Sequence, residues 1–217
     1  MPHAVLSFAC MGKVTDIRPQ KRAKTRVNIY VDGEFAVALE ALTAKSGGLE
    51  IGAEVTKERL YRLAAESEAE SALRRAFAYV GRRMRTESEV TRYLTDKGYG
   101  EPVVRDTVDK LKSYGYIDDA EFVKSYVEAK SGTRGKLRIK RGLALLGADE
   151  KSAEEALSAL GDQREAAERA AEKYLRTHPY DYRKLCAHLY AKGFDGDDIR
   201  AAARRFGKGE EDYETSI

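Results

Sequence analysis

The sequence predicts a mainly α-helical protein: three tandem three-helix repeats behind a small N-terminal β-hairpin module. Three observations predict it. Hydrophobic residues alternate up to about residue 55, then recur at helical spacing from about Lys57 to Phe206. The stretch YLTDKGYGEP, starting at Tyr93, returns 95 residues later as HLYAKGFDGD, starting at His188. Leu94 and Gly98, Leu143 and Gly147, and Leu189 and Gly193 share a four-residue spacing, so the echo has three members, 49 and 46 residues apart. Repetition at that period marks a helical array in which each repeat buries its apolar stripe against its neighbours.

The β module is assigned to residues 11–56. KVTDIRP and TRVNIYVD alternate and are rich in valine and isoleucine, and Asp32-Gly33 lies between NIYV and EFAVAL. That dipeptide supplies the positive backbone angles of a tight type I′ hairpin. Two strands are not stable alone, so a third is expected from residues 11–18, with a short helix after Ala38.

The first repeat, 57–117, should hold a helix over 71–84 carrying Leu73, Ala76, Phe77 and Val80. A second helix starts at Thr86, where Thr86 and Glu89 make a capping box, and Gly98 ends it. Pro102 suits the first turn of the third helix. The second repeat, 118–161, predicts helices over 119–130, 135–146 and 149–160. The third, 162–207, predicts them over 163–176, 181–192 and 195–206, with Pro179 between the first two. An acidic tail, 208–217, closes the chain. Positions 6, 10 and 13 after each repeat glycine are apolar: Val104, Val108, Leu111; Ala153, Leu157, Leu160; Ile199, Ala203, Phe206. Eight residues before the three glycines stand Val90, Ile139 and Leu185. Linkers are short, so neighbouring repeats should pack, and a curved rod is the expected product.

With 217 residues and 42% hydrophobic side chains the chain can build a real core. Cys10 and Cys186 are far apart and read as reduced thiols. The apolar run from Ala4 to Met11 is too short for a bilayer and lacks the basic start of a secretion signal, so a cytoplasmic protein is expected. A dispensable leader before Met11 remains an open reading of that run.

Net charge is only +3, but charge is segregated. From Ile17 to Val31 there are five cations (Arg18, Lys21, Arg22, Lys24, Arg26) and no acid. From Ala129 to Ala148 there are six (Lys130, Arg134, Lys136, Arg138, Lys140, Arg141), again without an acid. In the second of these, Ile139, Leu143 and Leu146 form an apolar stripe that leaves Arg134, Arg138 and Arg141 on one flank and Lys136 and Lys140 on the other. A lysine-rich helix is ordinarily a solvated face; twenty residues without an acid, in a nearly balanced chain, raise a binding role to equal standing. Arg74, Arg75, Arg82, Arg83 and Arg85 form a second candidate patch along the same edge of the array. Such cations would meet phosphates or an acidic protein, with salt-sensitive affinity.

No catalytic constellation stands out. GTRGKLR, from Gly132, lacks the glycine spacing and the hydroxyl residue of a phosphate loop and reads as a helix-start turn. His3, His178 and His188 lack metal-ligand spacing, and the acids gather in first turns of helices, where they suit the macrodipole. No cofactor and no metal are implied. Tyr79, Tyr126 and Tyr174 sit at comparable places in the first helices and read as seam packing rather than base-stacking platforms.

RTESEVTRYLTDKGYG, GYIDDAEFVKSYVEAK and GKLRIKRGLALLGAD resemble the RecX family of recombination regulators, and the resemblance covers nearly the whole chain. Its most specific pieces are Arg85-Thr86 with Glu89-Val90, Leu94 to Gly98, and the GYIDD run ending at Phe122. Gly142 stands where the pattern has glutamate, and Leu146 and Ala148 where it has lysine and isoleucine. The resemblance implies tandem three-helix repeats and a non-enzymatic cytoplasmic protein, here expected to be a monomer. Its implied partner is the RecA filament on DNA, whose strand exchange, ATPase and coprotease activities it inhibits. The array is then expected to lie in the filament groove with its basic edge on phosphates and recombinase together. Two rivals remain: a module that binds single- or double-stranded DNA directly through a recognition helix, and a structural adaptor whose charge serves solubility. The candidate helices lack a face of Asn, Gln and Arg suited to base reading.

Overall fold

A computed structural model describes residues 11–21, 23 and 25–207; the apolar run before Met11 and the acidic tail lie outside the described residues. They gather into two compact units, one running to Arg83 and including Thr91–Tyr114, the other comprising Met84–Val90 and the chain from Gly115.

The first unit opens with strands β1 (Gly12–Pro19), β2 (Arg26–Val31) and β3 (Glu34–Glu40), helix α1 (Ala41–Ser46) and strand β4 (Glu54–Val55). The strands form an antiparallel sheet in the order β3-β2-β1-β4. Asp32 and Gly33 carry φ of 50° and 88°, as the hairpin requires. The third strand and the short helix are as expected; β4 is a fourth strand that the sequence pattern did not announce. Val14, Ile29, Val31 and Leu39 fill one face of the sheet.

Helix α2 departs from expectation. It is one uninterrupted helix, Lys57–Val80, rather than a helix over 71–84. Nothing in ERLYRLAAESEAES breaks a helix, and the Thr56 hydroxyl caps it by accepting from the Arg59 N–H at 3.2 Å. Its first half buries Leu60 and Leu63 under the sheet, and the Ser67 hydroxyl accepts from the Glu40 N–H at 2.7 Å. Its second half carries Ala72 and Ala76 into the first repeat, where α2 packs against α4 (Glu101–Ser113). The helix stops at Gly81, five residues before Thr86 opens the capping box.

Helix α3 (Glu87–Asp96) begins as the sequence predicts. The Glu89 N–H donates to the Thr86 hydroxyl at 3.1 Å and the Thr86 N–H to the Glu89 carboxylate at 3.4 Å. The same Thr86 hydroxyl donates to the Leu146 carbonyl at 2.6 Å, and Thr86 is fully buried. Thr86→Val removes both roles and leaves buried polar groups unpaired. It is expected to cost about 2 kcal/mol, read as a lowered midpoint of thermal unfolding.

In the second unit, α5 (Asp119–Ser131), α6 (Lys136–Leu145) and α7 (Glu150–Ser158) enclose Phe122, Val123, Val127, Ile139, Leu143, Ala153 and Leu157. Helices α8 (Arg164–Leu175), α9 (Tyr182–Ala191) and α10 (Gly196–Phe206) enclose Ala167, Ala171, Leu185, Leu189, Phe194, Ile199 and Ala203. Asp118, Asp149, Asp181 and Asp195 each cap the helix that follows by accepting a backbone N–H.

The repeated leucine and glycine now have a physical reason. Gly98, Gly147 and Gly193 have φ of 87°, 73° and 86°. The N–H groups of Tyr99, Ala148 and Phe194 donate back to the carbonyls of Leu94, Leu143 and Leu189 at 3.3, 3.1 and 3.3 Å. This is the same Schellman closure three times: a left-handed residue that only glycine adopts cheaply, four positions after a leucine that is itself fully buried.

Candidate partner-binding surface

Helix α6 carries the densest cation cluster, and its seat is set by the third repeat. Its N-cap Gly135 lies so close to Gly193 that a Cβ would overlap the Gly193 carbonyl group. The Leu137 N–H donates to the Gly193 carbonyl at 3.2 Å and the Gly135 N–H to the Lys192 carbonyl at 3.0 Å. The buried Gln163 amide completes the joint: it accepts from the Lys136 N–H at 2.8 Å and donates to the carbonyls of Ser131 and Arg134 at 3.2 Å each. GTRGKLR is thus a helix-start turn, as read, with its first amides turned to protein partners instead of an anion.

Ile139 and Leu143 are fully buried, and the two flanks of α6 meet different fates. On one, Arg134, Arg138 and Arg141 line a cavity of about 550 Å³ with Tyr126, Leu137, Leu145 and Tyr190. Leu145 is 78% exposed and Tyr190 69%. Arg138 is steadied by a 2.8 Å bond from its guanidinium to the Ala191 carbonyl. Among the described residues none of these three arginines makes an ion pair. Tyr126 reaches the cavity because Gly142 has no side chain: a Cβ there would collide with the Tyr126 hydroxyl. Glycine at this position therefore makes room for the Tyr126 ring.

The lysine flank differs from the arginine flank in its partners. Lys140 bonds Glu154 at 2.6 Å and Glu150 at 3.2 Å, and these bonds hold its ammonium above the ordinary lysine range. Lys136 is half-buried, as is Lys130, which lies 6.0 Å from the Tyr126 ring centroid.

The second candidate patch is divided as well. Arg74 is bound to Glu40 at 3.0 Å. Arg85 is largely enclosed and bound to Glu89 at 2.8 Å, serving the start of α3. Arg75, Arg82 and Arg83 are exposed.

Tyr79 stacks on Tyr93 at 4.1 Å, Tyr126 lies against Phe122, and Tyr174 lies between His178 and His188 at 4.2 and 4.5 Å, which fits the seam reading. Desolvation, then the charges of Lys192 and His178, push the His188 imidazole below its ordinary range. Among the described residues no group of three or more His, Cys, Asp or Glu is placed to hold a metal ion. Among them, too, no helix is long and apolar enough to cross a membrane.

Sequence reasoning missed Gln163, Tyr190, Leu137 and Leu145. The two leucines carried a signal: eight residues apart, they lie off the Ile139–Leu143 stripe and on the arginine flank.

Mainly helical, with a small strand module and repeated three-helix domains, the chain has the build of a helical-repeat protein. Sequence models match residues 12–56 as the regulatory protein RecX N-terminal domain, 72–111 as the RecX first three-helix domain and 162–203 as the RecX third three-helix domain. Regulatory protein RecX of Bacillus licheniformis is 32% identical over 94% of this chain and 79% of its own length. That of Clostridium tetani is 30% identical over 90% of this chain and 94% of its own. A crystal structure of regulatory protein RecX aligns with TM-score 0.60 and 28% identity, covering 89% of this chain and 99% of that one. RecX from Lactobacillus salivarius aligns with TM-score 0.58 and 27% identity over 64% of this chain and 96% of its own. The chain belongs to the RecX family.

Proposed function

We propose that this chain is a non-enzymatic, cytoplasmic regulator that binds the RecA nucleoprotein filament as a monomer and inhibits its recombinase, ATPase and coprotease activities. It needs no cofactor. Family membership supports the partner. The single observation that carries the site is the α6 cavity, where three arginines without ion pairs among the described residues share a wall with exposed Leu145, Tyr190 and Leu137.

That mixture favours a protein over a phosphate backbone at this place. Apolar side chains gain nothing against phosphates, whereas arginine and tyrosine beside an apolar wall are the usual anchors of a protein interface. An acidic segment with an apolar side chain on the recombinase would satisfy both. A recognition-helix role for α6 is less well supported, because its first turn is engaged with Gly193 and Gln163 and is not free to enter a groove. The domain division carried forward with this reading is 11–56, 57–117, 118–161 and 162–207, with the tail beyond. Titrating the purified protein into RecA ATPase and strand-exchange reactions tests it. Inhibition near stoichiometry with RecA in the filament is expected, and unchanged rates at excess would end the proposal.

A further inference from the structure

The α6 cavity leaves unused the other acid-free stretch of the chain, the five cations between Ile17 and Val31. That stretch takes in the end of β1 and all of β2, with Arg18, Lys21 and Arg26 among the described residues, and the sheet turns alternate residues to two faces. One face is the core over Leu60 and Leu63. The register sets a different group together on the other: Arg18 opposite Asn28, Asp16 opposite Tyr30, and Tyr30 opposite Phe35. Phe35 is 43% exposed and the Arg18 side chain 63%.

These side chains are held in place. The Tyr30 and Phe35 rings meet edge to face at 6.0 Å. The Arg18 guanidinium lies 4.8 Å from the Tyr30 centroid, tied down by Asp16 at 2.6 Å. Gln20 donates to Asn28 at 2.8 Å beside them. Packing does not require an exposed phenylalanine next to an arginine-capped tyrosine on an outer sheet face. Phe35 and the Arg18-capped Tyr30, set edge to face, offer two separate stacking surfaces, with exposed Lys21 three residues past Arg18; such surfaces suit unpaired bases, because every base has a π-face, while a duplex keeps its faces covered.

We propose that the outer face of this sheet binds single-stranded nucleic acid, with bases stacking on Phe35 and on the Arg18–Tyr30 pair and phosphates passing Lys21. Because Asp16 already offsets the Arg18 charge, stacking supplies most of the affinity, and binding falls only shallowly with added salt. The site is separate from the α6 cavity, so either proposal can fail without the other.

The test is fluorescence anisotropy of the full chain with a labelled oligothymidylate of about 20 nucleotides, and with a duplex of equal length, at fixed salt. Arg18→Ala with Phe35→Ala is expected to weaken oligothymidylate binding about tenfold or more and to change duplex binding little. Arg138→Glu with Arg141→Glu should leave oligothymidylate binding as it was. Ultraviolet cross-linking of the unaltered chain to the same oligomer is expected to mark the peptide containing Tyr30 and Phe35, which guards against a misfolded variant. No binding of the oligomer, equal loss for strand and duplex, or cross-links confined to other peptides would each overturn the proposal.

Discussion

Reversing Arg138 and Arg141 together to glutamate is expected to raise the concentration that half-inhibits the RecA ATPase by more than about 30-fold. Both side chains line the α6 cavity beside Leu145 and Tyr190, and neither makes an ion pair among the described residues. Reversal therefore places two anions where the proposed partner brings its own. Arg138 gives up its bond to the Ala191 carbonyl, so a thermal melt must accompany the assay. Arg141→Glu alone separates the two effects, since no such bond is lost. Lys140→Ala is the control on the same helix: its ammonium is already shared between Glu154 and Glu150, and a change below about twofold is expected. Equal losses for Lys140 and Arg141 variants would mean that charge in general, not this wall of the helix, is what the recombinase senses.

Gly135→Ala should damage the fold more than any surface change. Its Cβ would overlap the Gly193 backbone, and neither partner can yield. Gly193 is held at φ 86° by the closure of α9, and Gly135 starts α6. Overpacking of this kind costs about 3 kcal/mol, which for a chain of this size lowers the unfolding midpoint by about 6–12 °C. The second and third repeats should part at this joint first, exposing the turn at Gly132 to proteolysis. A variant that melts like the parent and resists cleavage would show that the two glycines merely pass each other.

Much of this fold was legible in the sequence because its signals are local. The Leu94–Gly98 spacing and its two copies encode a closure made within six residues of chain, and the Thr86–Glu89 box is read across four. What stayed hidden depends on distant partners. The Thr86 hydroxyl also bonds Leu146, sixty positions on, and the Gln163 amide reaches three groups across the α5–α6 turn. Lys140 looked like its arginine neighbours until α7 brought Glu150 and Glu154 against it. Strand β4 has only two residues and hence no period to detect. In the 57–70 stretch the helical spacing was visible, and its alanines and glutamates, which favour helix, offered no break that would separate it from the 71–84 helix. At the α6 site the arginines were legible, and Leu137 and Leu145 carried a signal on the same helix, but Tyr190 was hidden because it comes from α9.

The unbroken α2 has a practical corollary. Leu60 and Leu63 roof the strands while Ala72 and Ala76, on the same rod, join the first repeat. A fragment trimmed to begin at Lys57 would bare two leucines, each worth roughly 1.5–3 kcal/mol of lost shelter from water. Strands and first repeat should accordingly melt in a single step, so anyone dissecting the chain into pieces must keep the strands, this helix and α4 together.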